Sequence, residues 1–122
     1  MLLKMLKGKL HRATVTELRP DYSGSLTVDE ALLEAAGLLP NEAILVADLD
    51  NGNRFETYII KGKRGSGEIG VNGAAALLSG VGHRIIAMAF AYVEPSEAAG
   101  IQPKVVVLDE KNRPMQGSGD SG

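Results

Sequence analysis

Short β-rich runs punctuated by turn formers, one or two short helices, and the absence of any fixed-period repeat predict a small mixed or all-β barrel. At 122 residues, 44% hydrophobic and 23% charged, the chain suits one domain, 1–122, with a modest core. Its 13 Lys+Arg against 15 Asp+Glu leave a net charge of −2, too weak a field for a polyphosphate backbone, so no nucleic acid partner is expected. Without cysteine, disulfides, thiolate metal sites and cysteine nucleophiles are excluded. Two histidines, His11 and His83, leave little for a metal, so none is expected. The longest apolar run, Ile85 to Val93, has nine residues where a spanning helix needs about twenty, so no membrane span is expected. Met1-Leu2-Leu3-Lys4 is not followed by a secretory pattern, and the expected location is cytoplasmic.

The alternation in Lys9–Leu18 predicts a strand, with Leu10, Arg12, Thr14 and Thr16 on one side and Lys9, His11, Ala13 and Val15 on the other. Pro20 to Ser25 interrupts it with turn formers. Thr27-Val28-Asp29-Glu30 reads as a capping box for a helix over Ala31–Ala36, which Gly37 stops. Ala43–Leu49 and Arg54–Lys61, separated by Asp50-Asn51-Gly52-Asn53, predict a hairpin. The basic, glycine-rich Lys61–Gly67 lacks the Gly-Lys-Ser/Thr ending of a phosphate loop. Asn72–Leu78 reads as a second short helix entered through a tight turn. Arg84–Val93 and Lys104–Asp109 add strands, and 114–122 reads as a disordered tail.

Tyr22-Ser23-Gly24-Ser25 resembles the self-processing site of the pyruvoyl-dependent aspartate 1-decarboxylases, and the resemblance runs through nearly the whole chain. It is carried by Met5 to Arg12, by Asp29 with Ala35-Ala36-Gly37 and Asn41-Glu42, by Asn51-Gly52 with Arg54 to Tyr58, and by Arg64-Gly65-Ser66 with Val71 to Ala76. The resemblance implies a mainly β fold, a double-psi β-barrel with one or two short helices. It also implies a homotetramer with sites between neighbouring subunits. The chain would cut itself into 1–24 and 25–122, turning Ser25 into a pyruvoyl group, with no pyridoxal phosphate and no metal. L-aspartate would bind that group as a Schiff base and lose carbon dioxide to give β-alanine for pantothenate synthesis. A maturation helper is left open as a partner.

By the same resemblance Gly24, Ser25 and Thr57 serve processing, Ser25 carries the reactive group, and Tyr58 donates a proton, a role its phenol can fill. Lys9, Arg54, Thr57, Asn72, Gly73, Ala74 and Ala75 bind substrate, the two cations matching its two carboxylates. His11, Tyr22 and Ile86 line the pocket. Glycine at 24 minimises the steric obstacle to a strained peptide there. Leu77 and Ala47 depart from the family pattern, where histidine and, in some members, tryptophan stand. The alternatives are a pyruvoyl decarboxylase of another amino acid and a non-catalytic barrel whose main support is Lys61–Gly67.

Overall fold

A computed structural model describes residues 1–115 of the chain. Its elements are β1 (Leu3–Thr14), β2 (Glu17–Arg19), β3 (Ser25–Asp29), α1 (Glu30–Ala36), β4 (Ala43–Asp48), β5 (Arg54–Gly62), β6 (Ile69–Asn72), a 3₁₀ segment (Gly73–Leu78), β7 (Arg84–Val93), α2 (Pro95–Ala98) and β8 (Lys104–Val107). The described part is therefore mainly β. The strands form one sheet in the order β2-β6-β3-β5-β4-β7-β1-β8. The pairs β1–β8, β2–β6 and β3–β5 are parallel.

Two residues, Val15 and Thr16, lead from β1 near one end of this order to β2 at the other, so the sheet has to curl back on itself. The Val15 amide donates to the His83 carbonyl at 2.9 Å and the Thr16 amide to the Ile69 carbonyl at 2.8 Å, stitching the junction. The inner face is apolar. Leu10, Leu26, Val28, Val46, Ile59 and Ile69 are fully buried there, and α1 adds Leu32, Leu33 and Ala36. No helix among the described residues is long and apolar enough to cross a membrane.

Several local expectations are corrected. The first strand begins at Leu3 and ends at Thr14. A register shift between His11 and Ala13, with Arg12 at φ 66°, breaks the alternation and puts both Leu10 and Ala13 in the core. Helix α1 is capped by Asp29, whose carboxylate accepts from the Ala31 amide at 2.8 Å, and not by Thr27. The parallel pairing Asp29↔Gly62 keeps Thr27 inside β3, where its hydroxyl meets Asn72 instead. Gly37 ends the helix at φ 69°, as expected. Asn72 ends β6, and the expected short helix follows as a 3₁₀ segment over Gly73–Leu78 entered at Gly73, φ 73°; α2, with Pro95 in its first turn, was not expected. Pro114 bridges Leu108, and the Met115 amide donates to the Val107 carbonyl at 2.8 Å, so residues 114 and 115 are held by the fold. The rest of the predicted tail lies outside the described residues.

The glycine-rich loop does form an anion cradle, and the chain fills it from within. Amides of Gly65 and Gly67 donate to the two oxygens of the buried Asp29 carboxylate at 2.9 and 2.8 Å. Burial pushes that carboxyl upward, but the Gly67, Gly65 and Ala31 amides and the Arg64 charge outweigh it and hold it below the usual range.

A second buried carboxylate ties the β4–β5 hairpin to the turn before β7. Asp48 accepts from the Asp50 amide and the Ser79 hydroxyl, each at 2.8 Å, and meets His83 Nδ1 at 2.9 Å. With Asp50 nearby these residues have metal-ligand chemistry, but Asp48 has both oxygens taken by protein donors. The hydrogen bond to Asp48 raises the His83 pKa above 6.5. Burial acts upward on Asp48, but the bonds from His83 and Ser79 leave it below the usual range.

The stability this pair contributes is whole below the ordinary histidine value and above the ordinary carboxylate value. It is lost as pH rises through the raised His83 pKa, and separately as pH falls through the lowered Asp48 pKa. The melting temperature of the wild-type chain is expected to decline on both sides. In His83→Gln the alkaline decline disappears, which melting curves across the neutral range check directly.

Candidate active site

The antiparallel and parallel registers set the predicted site residues in rows across one face of the sheet. Arg54 pairs with Ala47, Ala47 with Ile86, and Ile86 with His11, a row across β5, β4, β7 and β1. Two residues along β1, Lys9 pairs with Met88, which pairs with Leu45, which pairs with Glu56. Residues paired in this way share a face. The intervening row, Leu10, Ala87, Val46 and Phe55, turns into the core. Alternation thus places Lys9, His11, Arg54, Tyr58 and Ile86 on the outer face.

A second row lies across the other half of the sheet. Arg19 pairs with Asn72 and Asn72 with Ser25. One step back from the pair Leu26↔Ile59 brings Tyr58 beside Ser25. Ser25, the first residue of β3, is fully buried, and its hydroxyl oxygen accepts from Asn72 Nδ2 at 2.8 Å. The second proton of that amide goes to Thr27 Oγ1, also at 2.8 Å. The Ser25 hydroxyl donates to the Ser23 carbonyl at 3.3 Å. The hydroxyl beside the Gly24 peptide thus has an N–H donor at its oxygen and a carbonyl at its proton.

Gly73 explains how Ser25 comes to be covered. It sits at φ 73°, and a Cβ built on it would lie 2.6 Å from Gly24 Cα, 2.7 Å from Gly24 N and 3.0 Å from the Tyr22 carbonyl. Only a residue without a side chain lets the turn 22–24 settle on the start of the 3₁₀ segment. Gly24 itself is exposed, a Cβ built on it would meet nothing within 4 Å, and its φ lies outside the left-handed region, so the backbone strain expected there is absent. Ala74 is exposed and Ala75 half-buried beside it.

The structure does not bring every predicted residue to Ser25. Thr57 pairs with Ile44 on the core side, opposite Tyr58. Arg54 lies four residues from Tyr58 on β5, roughly 13 Å along the strand. Lys9 is four strands from β3 in the sheet order, roughly 19 Å across it. Along the sheet, Arg54 and Lys9 are thus set apart from Ser25 within one protomer. His11 is held below 6.5 by burial and then by Lys9, Arg12 and Arg84, and its Nδ1 is buried without a hydrogen-bond partner among the described residues. Tyr22 is exposed, with the Arg19 guanidinium 5.4 Å from its ring centre.

Arg19 and Glu68 are part of this cluster and were not singled out by sequence reasoning. Arg19 Nη1 donates to Asn72 Oδ1 at 3.4 Å, while Nη2 donates to Glu68 at 2.5 Å and to Glu17. The available signal was the same-face spacing of Glu17 and Arg19, an acid and a base two residues apart on a strand.

Comparison with known proteins places the chain among the following relatives. A family model described as aspartate decarboxylase matches residues 1–115. The chain is 55% identical to the aspartate 1-decarboxylase of Carboxydothermus hydrogenoformans, over 93% of this chain and 89% of that protein. It is 53% identical to that of Chloroherpeton thalassium, over 95% and 85% of the two chains. For the Lactiplantibacillus plantarum protein of the same name the identity is 52%, over 93% and 87%.

Proposed function

Because the chain belongs to the aspartate decarboxylase family and is a decarboxylase, we propose that it cuts itself between Gly24 and Ser25 and converts L-aspartate to β-alanine and carbon dioxide with the group so formed. The observation that carries the reading is the Ser25 hydroxyl, buried at the start of β3 and held by Asn72 at 2.8 Å under a turn that only a glycine at 73 admits.

Ser25 Oγ attacks the Gly24 carbonyl carbon, the Gly24–Ser25 C–N bond breaks, and the Oγ proton passes to the released nitrogen, leaving an ester. Loss of the Ser25 Cα proton and cleavage of the Cβ–Oγ bond then release 1–24 with Oγ in its new carboxylate. Water replaces the nitrogen of the remaining dehydroalanine, which leaves as ammonia. One water is consumed, and no external oxidant or reductant is needed. The resulting pyruvoyl ketone supplies an electron sink for carboxylate loss, in place of pyridoxal phosphate or a metal.

The chain's own residues do the rest. Arg54 and Lys9 take the two substrate carboxylates, and Tyr58, in register with Ser25, delivers a proton on the outer face. The backbone of Gly73, Ala74 and Ala75 and the Asn72 amide border the same spot. Thr57 assists cleavage, from the core side of β5. The separation of Arg54 and Lys9 from Ser25 along the sheet supports a site completed by a neighbouring copy, and the homotetramer is part of the same proposal. Leu77, 83% exposed, and Val81, 63% exposed, are apolar surface suited to copy–copy contact. The curled sheet with its three parallel pairings fits a double-psi barrel. The product would feed pantothenate and coenzyme A synthesis in the cytoplasm, and a helper protein can act in maturation.

The test is product analysis. Aspartate incubated with the purified, cleaved protein is expected to yield β-alanine and carbon dioxide in equal amounts; cleaved protein that releases neither overturns the reading. Arg54→Ala is expected to cleave normally but to lose roughly ten- to a hundredfold in kcat/KM, mostly through KM, since a charged hydrogen-bonded pair to the substrate is removed.

A further inference from the structure

We propose that Arg19 is a positioning residue for self-cleavage, acting on Ser25 through the side-chain amide of Asn72; the proposal rests on the self-cleavage reading above. Asn72 is 1% exposed, so the orientation of its amide is set by protein groups. As it stands, Nδ2 faces Ser25 and Thr27, and Oδ1 faces Arg19 Nη1. The reverse orientation would turn the NH2 group toward a guanidinium that can only donate, and would give Ser25 an acceptor. The difference matters chemically. Negative charge builds on Ser25 Oγ as its proton leaves, and an N–H donor stabilises that charge where a carbonyl oxygen would repel it. A cation on Oδ1 also polarises the amide and strengthens its N–H donors.

The guanidinium is itself built into place. Its Nη2 is shared by Glu17 and Glu68, and a Cβ on Gly70 would lie 2.5 Å from Nη1, so the absence of a side chain at 70 makes the seat. The same guanidinium lies 5.4 Å from the centre of the Tyr22 ring, in the turn that carries the bond to be cut. Arg19 therefore touches both the segment that bears the electrophile and the amide that holds the nucleophile.

The experiment follows fragment formation by intact mass in wild-type, Arg19→Ala, Arg19→Lys, Asn72→Ala and Arg19→Ala/Asn72→Ala chains. Arg19→Ala is expected to slow cleavage about tenfold or more. Because Arg19 acts through Asn72, it is expected to add nothing to the loss in the Asn72→Ala background, a non-additivity that general destabilisation does not produce. Arg19→Lys keeps the charge but loses the planar fork, and is expected to cleave several-fold slower than wild type. Wild-type cleavage with an unchanged Arg19→Ala rate, or full additivity in the double variant, overturns the proposal and leaves self-cleavage standing. If Arg19→Ala does not fold, Arg19→Lys decides, and a wild-type rate there overturns it. A wild-type chain that never cleaves removes the premise and the proposal together.

Discussion

A Ser25→Ala chain is expected to stay in one piece and to release no β-alanine from aspartate, both losses being complete. The substitution removes the one oxygen placed to attack the Gly24 carbonyl. Thr27 Oγ1 stands two residues past the bond and is held by Asn72, and Ser23 lies before the bond and exposes its side chain. The fold should survive. Asn72 Nδ2 loses one acceptor and keeps Thr27, which costs about 1–3 kcal/mol by the usual penalty for an unpaired buried donor. Mass spectrometry and product assay on the same sample read both losses. An intact Ser25→Ala chain that still decarboxylates aspartate would place the chemistry on another group.

The second large effect is expected from Gly73→Ala. Its methyl group would meet Gly24 Cα at 2.6 Å and Gly24 N at 2.7 Å, both backbone atoms that cannot swing aside as a flexible side chain would. The turn 22–24 has to move, and a displacement of about 1 Å at a reacting bond can cost about a hundredfold in rate. The left-handed conformation at φ 73° adds about 1–2 kcal/mol of strain on its own. Gly52→Ala separates the two contributions. Gly52 has φ 78° but open space around it, so alanine there suffers strain without collision. Cleavage is expected to slow about a hundredfold in Gly73→Ala and to keep its wild-type rate in Gly52→Ala, while both melt earlier. Equal cleavage rates in the two variants would deny that close approach of Gly73 to Gly24 matters.

Strands β1, β4, β5, β7 and β8, the β4–β5 hairpin and the α1 stop at Gly37 were legible because each is written locally, in alternation or in a turn residue, whereas β2, β3 and β6 were not. What escaped was decided by partners distant in sequence. Thr27 looked like a helix cap until pairing with β5 and β6 drew it into a strand and gave its hydroxyl to Asn72. Arg12 looked like one more alternating residue, yet the bulge beside it turns Ala13 into the core. The basic loop hinted at an anion, and the anion is the chain's own Asp29. The candidate site was named residue by residue through resemblance. Pattern reading had no means of seeing that Lys9 and Arg54 fall in separate rows, although alternation along the predicted strand already sets Thr57 and Tyr58 on opposite faces. Arg19 went unnoticed because its partners Glu68 and Asn72 lie some fifty positions away, brought near by β2–β6 pairing.

The most direct test of the central claim is the mass of the purified wild-type chain under denaturing conditions. Self-cleavage predicts two species, 1–24 and 25–122, the larger one lighter by one ammonia than its serine-terminated sequence. A single full-length mass that persists after prolonged warming, or a larger fragment that retains its serine amine, would contradict it.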